Sequence, residues 1–125
     1  MDIKPIRTKA DYRAALKAVE SLMGAKVRTP EGDRLDVLVT LIEGYERQRF
    51  PMDLPDAVEA IKFRMEQQGL TPKDLEPLIG RSNRVYEVLN RRRGLTLAMI
   101  QRLHAGLGIP AESLLRQTVL VPAAR

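Results

Sequence analysis

Apolar residues recur along most of the chain at the three- and four-residue spacing of a helix, and no stretch shows the two-residue alternation of a strand. The first stripe predicts a helix that starts after a Thr8 cap, with Asp11 completing a capping box, and that ends at Gly24. A second helix is expected to run from an Asp33 cap to about Gln48, with apolar positions on more than one face. The main positions predicted to be buried in this pair are Tyr12, Ala15, Leu16, Val19, Leu22, Met23, Leu35, Leu38, Ile42 and Tyr45.

Two prolines, Pro51 and Pro55, mark the predicted domain boundary, because prolines four positions apart do not fit inside one straight helix. We therefore expect a helical hairpin over residues 1–53 and a second domain over residues 54–125. The pattern in the second domain predicts an all-α fold of five short helices, and residues 117–125 stay unassigned. These helices span about Asp56–Gln68, Thr71–Gly80, Ser82–Asn90, Thr96–Gly108 and Pro110–Arg116. The apolar positions predicted to be buried in them are Val58, Ile61, Met65, Leu75, Leu78, Ile79, Val85, Val88, Leu89, Leu97, Ile100, Leu103, Leu107, Leu114 and Leu115.

The positive charge is concentrated in one short stretch of the second domain. The formal net charge is +5, but residues 1–55 are close to balance, with ten Lys/Arg against nine Asp/Glu. Residues 81–93 carry five arginines against Glu87 alone. Such a cluster beside a helix favours a polyanion partner, because each neutralised phosphate releases condensed counterions. The alternative is a solvated, arginine-rich turn.

Composition makes several other functions unexpected. The chain has no cysteine, which excludes disulfides and thiolate chemistry. There is no apolar run of about 18 residues and no apolar signal region at the N-terminus, so we expect a cytoplasmic protein without a membrane partner. His104 has no cluster of carboxylates near it in the sequence, and no glycine-rich phosphate loop occurs. We therefore expect no enzymatic activity, no cofactor and no metal site.

The stretch from Leu75 to Leu89 predicts two short helices joined by a tight turn. Gly80 stands at the break, where the backbone of a tight turn favours glycine, and Ser82 is expected to cap the second helix. The second helix has its apolar residues at i, i+3 and i+4, so one face is predicted to be buried. That face consists of Val85, Val88 and Leu89.

At about 100° per residue, burial of that face turns Asn83, Glu87 and Asn90 outward, with Tyr86 on one flank and Arg84 and Arg91 on the other. Asparagine pairs with adenine, arginine with guanine, and glutamate accepts from the cytosine amino group. The arginines after the helix are expected to bind phosphates. The residues predicted to contact DNA are Thr71, Lys73, Arg81, Ser82, Asn83, Arg84, Tyr86, Glu87, Asn90, Arg91, Arg92 and Arg93.

Several segments resemble the Xre/Cro-type helix-turn-helix family over residues 56–115. They are AIKFRMEQQGLT (60–71), DLEPLIG (74–80), VYEVLN (85–90), LTL (95–97) and LHAGLGIP (103–110). The whole chain further resembles HigA-type antitoxins, in which a helical N-terminal region of this size precedes that domain.

Two positions depart from the family pattern. Pro72 stands where many such domains use glutamine to contact a phosphate, and Asn90-Arg91 stand where many have glycine. Asparagine is one of the residues that tolerate a positive φ at such a site.

The resemblance implies a five-helix, lambda-repressor-like domain preceded by a two-helix hairpin. It also implies a homodimer that binds a palindromic operator in double-stranded DNA and represses its own operon. The hairpin would then neutralise a HigB-type toxin, a ribonuclease that cuts mRNA. Two alternatives stay open at this point. One is a stand-alone Xre-family repressor whose hairpin serves dimerisation or ligand sensing. The other is a protein-interaction module whose arginines contact an acidic partner.

Overall fold

The computed structural model of the protein describes residues 3–49 and 56–116, and every regular element in these ranges is helical. The predicted all-α class is therefore confirmed for this part of the chain. The chain forms two compact units, Met1–Leu54 and Pro55–Arg125. None of the helices in the described ranges is long and apolar enough to cross a membrane. The predicted join at Pro51–Pro55 and the tail at 117–125 lie outside the described residues.

The first unit is built on two helices that pack against each other, α1 (Lys9–Leu22) and α2 (Pro30–Arg49). The predicted start of α1 is confirmed. The Thr8 hydroxyl accepts from the Asp11 N–H at 3.1 Å, and the Asp11 carboxylate accepts from the Thr8 N–H at 3.1 Å. The Tyr12 ring stacks on Tyr45 at 5.1 Å between centroids, and the Tyr12 hydroxyl donates to the buried Glu46 carboxylate at 2.6 Å. These contacts join the start of α1 to the later turns of α2.

The prediction that Asp33 caps α2 is wrong, because the helix starts three residues earlier. The Thr29 hydroxyl accepts from the Gly32 N–H at 3.0 Å, and Pro30 occupies the first helical position. Proline suits that position because its fixed φ is already helical and its missing N–H would have no partner there. Asp33 lies within the first turn, where its charge still complements the helix dipole.

Over the described residues 56–116, the second unit contains five α-helices and one 3₁₀ turn. They are α3 (Ala57–Gln68), the 3₁₀ turn Pro72–Leu75, α4 (Glu76–Ile79), α5 (Ser82–Leu89), α6 (Leu97–Leu107) and α7 (Ala111–Leu115). The single helix predicted after Thr71 is therefore divided. Pro77 has no N–H to donate to the carbonyl of Lys73, which instead accepts from the Glu76 N–H in the tighter 3₁₀ pattern.

Most of the predicted apolar positions of this unit are buried in its core, but three of them, Met65, Leu78 and Leu97, are only half-buried. Four buried residues, Ala57, Met99, Ile109 and Ala111, are not among the predicted positions. The predicted positions that are buried are Val58, Ile61, Leu75, Ile79, Val85, Val88, Leu89, Ile100, Leu103, Leu107, Leu114 and Leu115.

Helix α4 is held closely against α6. A Cβ built on Gly106 would lie 2.8 Å from Leu78 Cδ2, so glycine permits this approach. Arg102 Nε also donates to the Leu78 carbonyl at 2.9 Å, which satisfies an acceptor near the end of α4. These contacts fix the direction in which the chain enters the turn before α5.

The 3₁₀ turn before α4 is closed by Asp74. Its carboxylate accepts from the Thr71 N–H at 2.8 Å and from the Thr71 hydroxyl at 3.1 Å. The Thr71 N–H, followed by the Thr71 hydroxyl, holds the pKa of Asp74 below its ordinary value of 3.8. The folded state therefore gains stability from the ionised carboxylate at neutral pH, and this gain is lost as the pH falls through the lowered pKa.

We expect Asp74→Asn to lower the thermal midpoint at pH 7, with a difference from the wild type that shrinks as the pH falls below 3.8. Thermal denaturation followed by circular dichroism between pH 7 and pH 2 measures this difference. Glu66→Gln is the control, because Glu66 is an exposed residue in the last turn of α3. A destabilisation by Asp74→Asn that stays constant over the whole pH range would contradict the role given to the charge.

Candidate nucleic-acid interface

The break between α4 and α5 depends on the backbone of Gly80, which has φ 145° and ψ −166°. Glycine alone adopts this conformation readily, because it lacks a Cβ. The chain then passes through Arg81 in an extended conformation and re-enters a helix at Ser82. Two separate helices thus flank Gly80, as the sequence predicts.

The prediction that Ser82 caps α5 is wrong. The cap position is Arg81, whose carbonyl accepts from the N–H groups of Arg84 at 2.9 Å and Val85 at 3.1 Å. Ser82 is already helical, since the extended backbone at Gly80 and Arg81 places the helix start one residue earlier than a serine cap requires. The side chain of Arg81 makes no capping hydrogen bond to α5. The first N–H groups of α5 therefore remain available to an acceptor at the positive end of the helix.

Helix α5 presents one buried face and one polar, exposed face. Val85 and Val88 are fully buried beneath the helix, together with Leu89. Asn83 and Asn90 are exposed, and Tyr86 is 55% exposed. Both asparagines of the predicted outward row are therefore accessible, whereas Glu87, its third member, is half-buried.

The remaining predicted contact residues lie on two neighbouring segments. The 3₁₀ turn that follows Thr71 and includes Lys73 packs against α5, and both residues are exposed. The hydroxyl of Thr71 is already engaged with Asp74. The second segment runs from Arg81 through α5 to the turn after it. Its predicted contacts are all exposed except Glu87 and Arg91, which are half-buried. The exposed members there are Arg81, Ser82, Asn83, Arg84, Tyr86, Asn90, Arg92 and Arg93.

Arg91 ends α5 and connects it to the start of α3. Its φ is +61°, whereas Asn90 has φ −95°, so arginine and not asparagine adopts the left-handed conformation at this turn. The Arg91 guanidinium forms an ion pair with Asp56 and lies 3.8 Å from Glu59. Asp56 also caps α3 through the Glu59 N–H at 3.0 Å. The charge of Arg91 is thus balanced within the fold, and its position in the sequence carries no signal of this contact.

Arg93 turns back onto α5. Its Nε donates to Glu87 Oε1 at 3.0 Å, and the two side chains are 45% and 40% exposed. Arg92, between the two paired arginines, is exposed and forms no ion pair with another described residue. The three consecutive arginines therefore have different surroundings. One connects two helices, one is solvated, and one contacts the outward face of α5.

Other candidate chemistry in the second unit is limited. His104 Nδ1 lies 2.8 Å from the Ile109 carbonyl, a contact within the fold near the end of α6. Within residues 3–49 and 56–116, no group of three or more histidine, cysteine, aspartate or glutamate side chains is arranged to hold a metal ion.

Comparison with models of known protein families gives no match, and a search of curated proteins finds no significant similarity.

We expect Arg91→Ala to lower the free energy of unfolding by on the order of 1–2 kcal/mol, because it removes a partly buried charged hydrogen bond. Arg92→Ala is the matched control, since it removes the same charge from a solvated neighbour and should change stability by less than about 0.5 kcal/mol. Urea denaturation of both variants gives the comparison. Equal effects of the two substitutions would show that the pair of Arg91 with Asp56 does not stabilise the fold.

Proposed function

We propose that this chain is a sequence-specific DNA-binding antitoxin that represses its own operon as a dimer. The observation that carries the DNA-binding part is the outward face of α5, where exposed asparagines stand next to a cluster of arginines. Two short helices flank Gly80 and the second has one face in the core, and this order of elements supports a helix-turn-helix. In that motif the second helix enters the major groove and its early residues contact base edges.

The dimensions and chemistry of α5 are compatible with this role. Its eight residues make a helix about 12 Å long, which can follow three or four base pairs at about 3.4 Å each. Asn83 and Glu87 lie one helical turn apart on the same exposed side. An asparagine recognises adenine through two hydrogen bonds, and a glutamate accepts from the cytosine amino group. The face therefore provides groups that distinguish bases from one another.

Phosphate contacts would position the helix in the groove. The uncapped N–H groups at the start of α5 lie at the positive end of the helix, where anions bind. Lys73 on the adjacent 3₁₀ turn, together with Arg81 and Arg92, supplies exposed cations close to the same helix in the sequence. Contacts of this type fix register and orientation, whereas the base contacts determine the preferred sequence.

A single α5 reads too few base pairs to define an operator, which supports binding as a dimer to a palindrome. Two-fold symmetry of the protein then places the half-sites about 34 Å apart, one helical turn of DNA. The proposal requires no catalytic residue, cofactor or metal.

The antitoxin part of the proposal depends on the resemblance to HigA-type proteins. It is also supported by the division of the chain, because α1 and α2 belong to a compact unit of their own, to which we assign the second partner. That partner would be a HigB-type ribonuclease. The alternative is a stand-alone Xre-family repressor, whose first unit serves another purpose.

In gel-shift titrations on promoter DNA of its own gene, we expect Asn83→Ala to cost about 1–3 kcal/mol at the preferred site and little on random DNA. Arg92→Ala should weaken binding to both DNAs alike and reduce the salt slope by about 1, because it removes one phosphate contact. Equal losses from both variants on both DNAs would contradict these assignments. Wild-type binding that is insensitive to salt would contradict the proposed interface as a whole.

For the antitoxin role, we expect the full chain to co-purify with the product of an adjacent gene and to restore growth of cells that express this product. The product should be a small basic ribonuclease. Asn83→Ala should retain this protection, because α5 is assigned to DNA. An operon without such a gene would favour the stand-alone repressor.

A further inference from the structure

Glu87 is the sole carboxylate among residues 81–93 and stands on the face of α5 assigned to DNA. A negative charge at this position opposes binding to phosphates, so a carboxylate here needs a function that outweighs this repulsion. Stability is a weak explanation. The ion pair of Glu87 with Arg93 is about half exposed on both sides, and pairs of this kind contribute little to folding.

We propose that Arg93 is a positioning residue that holds Glu87 for recognition of one cytosine, so that the two side chains together determine specificity at one base pair. This inference rests on the proposed DNA-binding function and specifies how its site selects a sequence. Arg93 acts through Glu87 and need not touch the base.

The geometry of the pair supports this division of roles. Arg93 uses Nε, and the bond reaches one carboxylate oxygen, Oε1, at 3.0 Å. The other oxygen of Glu87 accepts no hydrogen bond from the described residues, so it is available to the amino group of cytosine N4. The terminal amino groups of Arg93 have no acceptor among the described residues either, and they are available to a phosphate.

Glu87 also disfavours guanine and thymine, whereas adenine presents an amino donor beside its N7 acceptor. The major-groove edge of guanine presents two acceptors, and that of thymine presents the O4 acceptor, so a carboxylate is repelled by both. The positive charge of Arg93 offsets the negative charge of Glu87, which reduces the repulsion between Glu87 and the rest of the duplex. Loss of Arg93 would leave the carboxylate both less ordered and uncompensated.

The test begins with selection of preferred sites from a randomised duplex pool by the full-length protein. Affinities are then measured for all four base pairs at each selected position. Glu87→Gln should reduce the preference for cytosine at one position by about tenfold and should bind random DNA more tightly. Arg93→Gln should reduce the same preference by a similar factor and should bind random DNA more weakly. The double variant should retain as much of the cytosine preference as either single variant, because both substitutions disrupt the same recognition unit.

Arg92→Gln is the control, because it removes the same charge from the adjacent residue without a bond to Glu87. It should weaken all sequences and leave every base preference unchanged. Thermal midpoints of the variants close to that of the wild type would show that the fold is retained.

If Arg93→Gln leaves the cytosine preference intact, as Arg92→Gln is expected to do, the positioning role of Arg93 is wrong. Glu87→Gln with unchanged preferences would overturn the reading role while leaving DNA binding in place. A wild-type protein that selects no sequence at all would instead overturn the proposed function, and this inference with it.

Discussion

The orientation of α5 depends on the burial of Val85, Val88 and Leu89 beneath it. Burial of a valine or leucine side chain contributes about 1.5–3 kcal/mol, whereas an exposed ion pair contributes about 0–1 kcal/mol. The apolar contacts therefore determine which way the helix faces, and the charged residues follow from that choice. Because α5 has one buried face, its polar residues share the other face and are presented together to solvent.

Two features adjust this arrangement at its ends. Gly80 allows the chain to change direction before α5, with a backbone conformation that other residues adopt at a cost. Arg91 ends the helix in a left-handed conformation and pairs with Asp56 at the start of α3. The same run of arginines thus contributes to folding at its first member and offers free charge at its second. A count of positive charges does not reveal this difference between Arg91 and Arg92. The difference nevertheless affects how strongly the surface would attract a polyanion.

Much of this architecture could be predicted from local patterns in the sequence. The Thr8 cap of α1, the break at Gly80 and the buried face of α5 each depend on residues within a few positions of one another. The two wrong cap predictions, Asp33 and Ser82, also have local physical causes. Pro30 moved the start of α2 away from Asp33, and the extended backbone at Arg81 removed the capping role of Ser82.

Contacts between distant residues were not predictable in this way. The pairing of Arg91 with Asp56 joins positions 35 residues apart, and the close approach of Leu78 to Gly106 joins two helices. The bond from Arg93 to Glu87 depends on how the turn after α5 folds back, which periodicity does not describe. The outward direction of Asn83 and Asn90, in contrast, follows from the periodicity of one helix and agrees with the structure.

The proposed function requires the exposed side of α5 to enter the major groove of DNA. The chain contains no cysteine, so Ser82→Cys introduces a single thiol at the start of α5, to which an iron chelate that cleaves DNA can be attached. On promoter DNA bound by this derivative, we expect cleavage at two places about 34 Å apart, one in each half-site. Bound DNA that is not cleaved near the chelate would show that α5 faces away from the duplex, and the proposed DNA interface would then be wrong.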